Sequence, residues 1–233
     1  MDSSQLVLGI TWYIAFVISA VIHEASHAYT AMLGGDLTGY REGQVSLNPR
    51  PHIKREPFGM VLVPLLSFFS GGWMLGWASV PYDPRWAARF PRRAAWMSLA
   101  GPAANLALVL VSGGLIRLGM ALDWFVAPSV VSFSTVTRAT PAGSEMMAQL
   151  LSIFFTLNLI LFVFNLLPVP PLDGSGVIQL LMGERLARRF QQLVNHPTLG
   201  LVGFLIAWYF FDVLFSPVHA IAINLLYPGM SYG

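Results

Sequence analysis

Apolar residues fall into five long blocks separated by polar, proline-bearing and arginine-bearing stretches. The blocks run about 5–33, 58–79, 94–120, 146–167 and 198–226. Each is long enough to cross a bilayer as a helix, which needs about 20 apolar residues. The first ends at Gly34-Gly35, a natural helix stop. The second is interrupted by Pro64, Ser67, Ser70 and Gly71-Gly72. The fourth runs into Pro168, Pro170 and Pro171. Between the first two blocks, "QVSLN" alternates polar and apolar positions and predicts a short strand. Residues 174–197 read as a short helix followed by an exposed basic helix, "ERLARRFQQL".

The pattern predicts an all-α polytopic membrane protein. It has about four full spans, one re-entrant or broken hydrophobic segment and a small strand element after the first span. Composition agrees: 10% of residues are charged, against about 25% in soluble chains. A net charge of +2 with no basic run gives no sign of nucleic-acid binding. There is no cysteine, so a metal would have to be held by His, Asp or Glu. The opening "MDSSQ" lacks the basic region of a signal peptide, so the first block is expected to be a retained span. Residues 1–233 are expected to form a single integral-membrane domain, with a core of about 5–185 and a last span at about 198–226.

Charge distribution decides between two topologies. If 58–79 crossed fully, the basic counts on the two faces would nearly balance. If it enters and returns, loops 34–57, 80–93 and 169–197 share one face and carry 11 of the 13 basic residues. Only Arg117 and Arg138 lie opposite. The second reading places the basic loops in the cytoplasm and both ends outside. Arg185, Arg188 and Arg189 fit a face that snorkels toward lipid headgroups.

Against this apolar background, "HEASH" stands out in the first block. Ionisable groups inside a span are costly and usually mark function. His23 and His27, four apart, project from one helical face and can chelate one zinc ion. Glu24 is placed to act as general base on a zinc-activated water. A catalytic zinc has three protein ligands and an open position. Candidates for the third are Asp173, His219, Asp212, His52, Glu145 and His196. Only the re-entrant topology brings Asp173 to the half of the bilayer that holds His23 and His27. The charge count and this ligand therefore demand the same arrangement.

The joint occurrence of HEASH, "AGPAAN" (100–105) and "NLLPVPPLDG" (165–174) resembles the site-2 protease family of intramembrane zinc metalloproteases. "GQVSLNPRPHI", "GWASVPYDPR" and "FNLLPVPPLDG" resemble a compact bacterial and archaeal branch, without PDZ or CBS insertions. The resemblance covers about 15–185. It implies one zinc per chain on His23, His27 and Asp173, with Glu24 as base and Asn165 stabilising the oxyanion. It also implies a membrane-protein substrate cut in or near a transmembrane segment, and a cell-membrane location with the site toward the cytoplasm. Lys54 departs from the acid usual in that branch, which leaves the role of His52 open.

Other residues carry weaker expectations. Gly101 and its alanine neighbours favour close helix packing, and Asn105 reads as interhelical glue. Asn158 reads equally as glue or as part of the site. Asp212 and His219 read as a buried pair or a second polar site. Two rivals remain: a metal transporter, for which no repeated halves are visible, and an inactive scaffold of the same fold.

Overall fold

In a computed structural model, residues 3–183, 185–187, 189–190 and 197–232 are described. The chain opens with α1 (Ser3–Leu33), whose 31 residues exceed what a bilayer core requires. Its last turn closes through Gly34, Gly35 and Asp36 N–H bonds to the carbonyls of Thr30, Met32 and Ala31. Gly35 sits at φ 97°, which a side chain would resist. Two short helices follow, α2 (Thr38–Arg41) and α3 (Pro49–Arg55). Asn48 caps α3 by accepting from Arg50 N–H, with Pro49 in the first turn where its missing N–H costs nothing.

A π-helical turn (Phe58–Leu62) leads into α4 (Val63–Gly71), which stops at Gly72 with φ 76°. The chain then runs back in extended form. Leu75 N–H donates to Ser67 Oγ (2.8 Å), Trp77 N–H to the Gly59 carbonyl (3.1 Å) and Ser79 Oγ to Glu56 Oε1 (2.5 Å). These three bonds pair successively earlier residues of the inbound arm with successively later ones of the outbound arm. The second apolar block is therefore a hairpin that enters and leaves on one face. Two glycines permit the closeness: a Cβ on Gly59 would lie 2.2 Å from the Trp77 carbonyl oxygen, and one on Gly76 2.4 Å from that of Gly59.

Next come α5 (Pro84–Arg89) and the long α6 (Pro91–Ala121). Strands β1 (Phe125–Val126) and β2 (Arg138–Ala139) form a small antiparallel sheet. Then follow α7 (Glu145–Asn165), α8 (Gly174–Val177) with a 3₁₀ turn through Leu181, and α9 (Pro197–Leu226). The helices α1, α6, α7 and α9 are the four long and apolar enough to span among the described residues. Trp86 Nε1 of α5 and Arg93 of α6 both donate to the Gly34 carbonyl (3.0 Å each), pinning the end of α1 to α5 and the start of α6. At the opposite face Arg117 donates to the Leu226 carbonyl at the end of α9 (3.3 Å).

Trp12, Phe16, Met60, Met74, Ile153 and Leu157 form one buried cluster, which seats the hairpin on α1 and α7. Ile116, Phe125, Phe155, Ile223 and Tyr227 belong to a second, toward the sheet. The long spans present Ile10, Leu110, Leu205 and Val213 outward, as lipid requires.

Residues 44–48 do not form the expected strand: 45–47 are bends, and the sheet among the described residues lies instead between α6 and α7. Among the described residues no strand pairs with the segment. It wraps α3 through Gln44 Nε2 to the Pro51 carbonyl and the His52 ring to the Ser46 carbonyl. The basic helix at 184–193 is covered only at 185–187 and 189–190, which are helical with Arg185 and Arg189 exposed; Arg188 lies outside the described residues.

Asp36 ties the loops above the hairpin together. Its carboxylate accepts from Thr38 N–H, Thr38 Oγ and Asp83 N–H at 2.9, 2.6 and 2.8 Å. Burial works to raise its pKa, but these bonds and the nearby Arg41 charge outweigh burial and hold it below the usual value. An unfolded Asp titrates near about 4. The stabilisation is thus complete above that pH and is lost as pH falls toward the folded value. Asp36→Asn should cost about 1–3 kcal/mol at neutral pH. Thermal unfolding in detergent should show the gap to wild type closing as pH drops from about 5 toward 3. A gap independent of pH would contradict this account.

Candidate metal centre

His23, Glu24 and His27 lie on α1, six to ten residues before its end at Leu33, and all three are buried. At about 1.5 Å per residue, His23 is about 15 Å below that end, well within a bilayer's hydrocarbon depth. The two imidazoles stand edge to face with Nε2 atoms 2.9 Å apart. Asp173 reaches them from the other side of the cavity. Its Oδ2 is 3.1 Å from His23 Nε2 and 3.3 Å from His27 Nε2.

The path to Asp173 follows from the prolines. α7 ends at Asn165, and the prolines at 168, 170 and 171 cannot continue it. The chain turns back until the Asp173 carbonyl accepts from Gly176 and Val177 N–H and starts α8. Gly174 makes the fold-back possible, since a Cβ there would lie 2.3 Å from the Leu166 and Leu167 carbonyl oxygens.

The three converging donors fit a zinc ion. Ligands about 2.0–2.2 Å from a tetrahedral zinc lie about 3.3–3.6 Å from one another. The observed triangle of 2.9–3.3 Å needs to open by only a few tenths of an ångström. Two imidazoles and a carboxylate are also a donor set suited to zinc. Both rings present Nε2, because each Nδ1 is engaged elsewhere. His27 Nδ1 bonds the Met97 carbonyl (2.6 Å), and His23 Nδ1 bonds Asn105 Oδ1 (2.5 Å). Since both acceptors are oxygens, each Nδ1 carries the hydrogen and each Nε2 is left with its lone pair.

Asn105 is itself held. Its Nδ2 donates to Asn158 Oδ1 (2.8 Å), and Asn158 Nδ2 donates to Ser19 Oγ (2.9 Å). Ser19, Asn105 and Asn158 are fully buried, and the chain of bonds joins α1, α6 and α7 behind His23. Partners of this kind are worth about 10–100-fold in metal affinity. Asn105→Ala should therefore weaken zinc binding by about that factor. Competition titration with a chelator would measure it, and unchanged affinity would remove Asn105 from the centre.

Glu24 opens onto a cavity of about 360 Å³ that the His–Asp triangle also lines. Ser79 and Tyr82 of the outbound chain, Ser98 of α6, Asn165, Ser175 and Gln179 complete its polar lining. Asn165 Nδ2 bonds the Leu161 carbonyl (3.0 Å), which leaves its second amide hydrogen for the cavity. The remaining third-ligand candidates lie elsewhere. His52 is buried on α3, Glu145 accepts from Ala139 N–H near the sheet, and Asp212 is exposed on α9. His219 stacks on Phe215 beside Phe133, so it forms no pair with Asp212. His196 lies outside the described residues.

The model of peptidase family M50 matches residues 11–209. The chain belongs to peptidase family M50. This is the site-2 protease family to which the motifs pointed, and no PDZ or CBS module matches. Among M50 relatives, "Putative zinc metalloprotease YwhC" of Bacillus subtilis (strain 168) is 32% identical over 83% of this chain and 77% of its own length. "Putative zinc metalloprotease Rip2" of Mycobacterium tuberculosis is 30% identical over 70% of this chain, and the match spans 54% of that relative. The Rip2 of Mycolicibacterium smegmatis is 29% identical over the same share. No solved structure matches the chain. M50 membership and four helices long and apolar enough to span a membrane make this a membrane metalloprotease.

Two features of the M50 centre escape a reading of the sequence. The Met97 carbonyl has no sequence signal, since any residue supplies one. Asn105 does have a signal, a lone amide within an alanine-rich span, but interhelical glue leaves the same trace.

Proposed function

We propose that this protein is an intramembrane zinc endopeptidase that hydrolyses peptide bonds in or near transmembrane segments of other membrane proteins. One observation carries the reading: the His23–His27–Asp173 triangle and Glu24 open into one cavity inside a bundle of spanning helices.

His23, His27 and Asp173 would hold a single zinc. When bound, zinc supplies Lewis acidity that makes water nucleophilic near neutral pH. Glu24 removes a proton from the attacking water and returns it to the leaving amine. The free amide hydrogen of Asn165 donates to the carbonyl oxygen as negative charge develops there, an interaction strengthened where water is scarce. Ser79 and Tyr82 give the cavity a polar wall by which water reaches the site. The 11 basic residues on one side favour a cytoplasmic opening in a bacterial or archaeal cell membrane, with residues 1–233 acting as one unit.

Wild type and Glu24→Gln, reconstituted in vesicles with single-span test substrates, separate this reading from metal transport. Wild type should cut. Glu24→Gln should bind zinc equally and cut about 10²–10⁴-fold more slowly. Undiminished cutting by Glu24→Gln, or zinc flux without cleavage, would overturn the proposal.

A further inference from the structure

Asp212 sits at the middle of α9, 15 residues after Pro197 and 14 before Leu226. At about 1.5 Å per residue it is about 21 Å from the nearer end, which is the depth of the bilayer midplane. Both ends of the helix are tied. In its second turn Gly203 meets the cavity wall, where a Cβ would lie 2.1 Å from the Pro170 carbonyl oxygen. At the other end Arg117 holds the Leu226 carbonyl. The helix therefore cannot slide to bring Asp212 to water. Yet the Asp212 side chain is exposed, and it has no hydrogen-bond or ion-pair partner among the described residues. Among those residues no other charged side chain faces outward from the middle of a span. Such a group is costly against lipid and calls for a polar cover.

Its neighbours point to the cover. Thr198, Val202, Leu205, Tyr209, Asp212 and Ser216 are all exposed, and they are spaced four, three, four, three and four residues apart. That spacing is the two-per-heptad seam by which parallel helices interlock. Tyr209 and Ser216 stand one seam position to either side of Asp212, and Tyr209 is 79% exposed. Neither hydroxyl has a hydrogen-bond partner among the described residues. The face thus carries an unpaired acceptor between two unpaired donors.

We propose that this face pairs with the same face of a second copy of the chain, as a parallel α9–α9 dimer. Two copies inserted the same way bring their α9 helices together in one direction and at one depth, as the seam requires. Each Asp212 then lies one seam position from the partner's Tyr209 and the partner's Ser216, whose hydroxyls donate to its carboxyl. Two-fold symmetry gives both carboxyls the same pair of donors. A basic helix from another protein would meet the charge but leave the two hydroxyl hydrogens without an acceptor, because Lys and Arg only donate.

The chain has no cysteine, so single cysteines report on the seam directly. In full-length protein in phosphatidylcholine vesicles, Leu205→Cys should cross-link to a dimer on mild oxidation. Phe210→Cys is also at an exposed position, but about 160° round the helix from Asp212, and should not cross-link. Energy transfer between copies labelled through Ser3→Cys should fall as lipid dilutes the protein, which gives the strength of pairing. Asp212→Leu should weaken pairing about tenfold, and Asp212→Asn, which keeps a carbonyl acceptor, should weaken it less. Both variants should hold as much zinc as wild type, because Asp212 is no part of the metal centre. Pairing untouched by Asp212→Leu overturns the proposal, as does cross-linking at residue 210 equal to that at 205. A protein that is monomeric at every dilution also overturns it, and leaves the face to a helix of another protein.

Discussion

Asp173→Ala is expected to empty the metal centre. Detergent-purified wild type should carry about one zinc per chain, and the variant close to none. Two imidazoles alone leave a zinc half-ligated, and the rest of the cavity offers no second carboxylate among its lining residues except Glu24. Glu24 precedes the next α1 turn and cannot replace a group that arrives from α8's side without giving up its own task. The loss should not come from misfolding. The Asp173 backbone carbonyl caps α8, and alanine keeps that bond. Helicity should therefore match wild type while zinc and cleavage both disappear. Full zinc occupancy in Asp173→Ala would show that the third ligand lies elsewhere.

Gly101→Ala should do nearly as much harm with a single methyl group. A Cβ at Gly101 would lie 2.4 Å from His27 Nε2 and 2.5 Å from His23 Nε2. Carbon cannot approach nitrogen so closely, so the rings or the helices must move. The rings are fixed by their Nδ1 bonds to Met97 and Asn105, which belong to the same α6 that carries the methyl. Any retreat of the imidazoles therefore breaks the bonds that aim them. We expect zinc binding to be lost and cleavage with it. Gly114→Ala on the same helix is the control. Its Cβ meets nothing within 4 Å, so binding should be unchanged and the helix slightly firmer, by about 0.5–1 kcal/mol. Equal zinc content in the two variants would refute the steric argument.

The sequence carried much of this because membrane burial makes polar residues conspicuous. His23, Glu24 and His27 were legible from the helical period alone, and the basic loops located Asp173 on their side before any geometry was known. The four spanning helices match their apolar blocks to within a few residues. Gly101 was legible only in kind: its smallness was visible, but what it makes room for is a pair of ring nitrogens, not a helix backbone. The strand at 44–48 failed because five alternating residues say nothing about a pairing partner, and none is there among the described residues. The sheet that does exist has two residues per strand, too short to leave a period. The Asn105–Asn158–Ser19 chain joins positions up to 139 residues apart, and no local pattern could signal it.

The hairpin at 58–79 also fixes a parity. With four spanning helices among the described residues, an even number, residues 3 and 232 should face the same compartment, and reporters attached near either one should give the same accessibility. One additional crossing would invert every element downstream. Asp173 would then be delivered to the far leaflet, and His23 and His27 would wait for a partner a membrane's width away. The turn at Gly71-Gly72 is thus a switch between two topologies of nearly the same sequence. Lengthening the apolar arm there by enough residues to span should abolish the enzyme without touching any residue of its cavity.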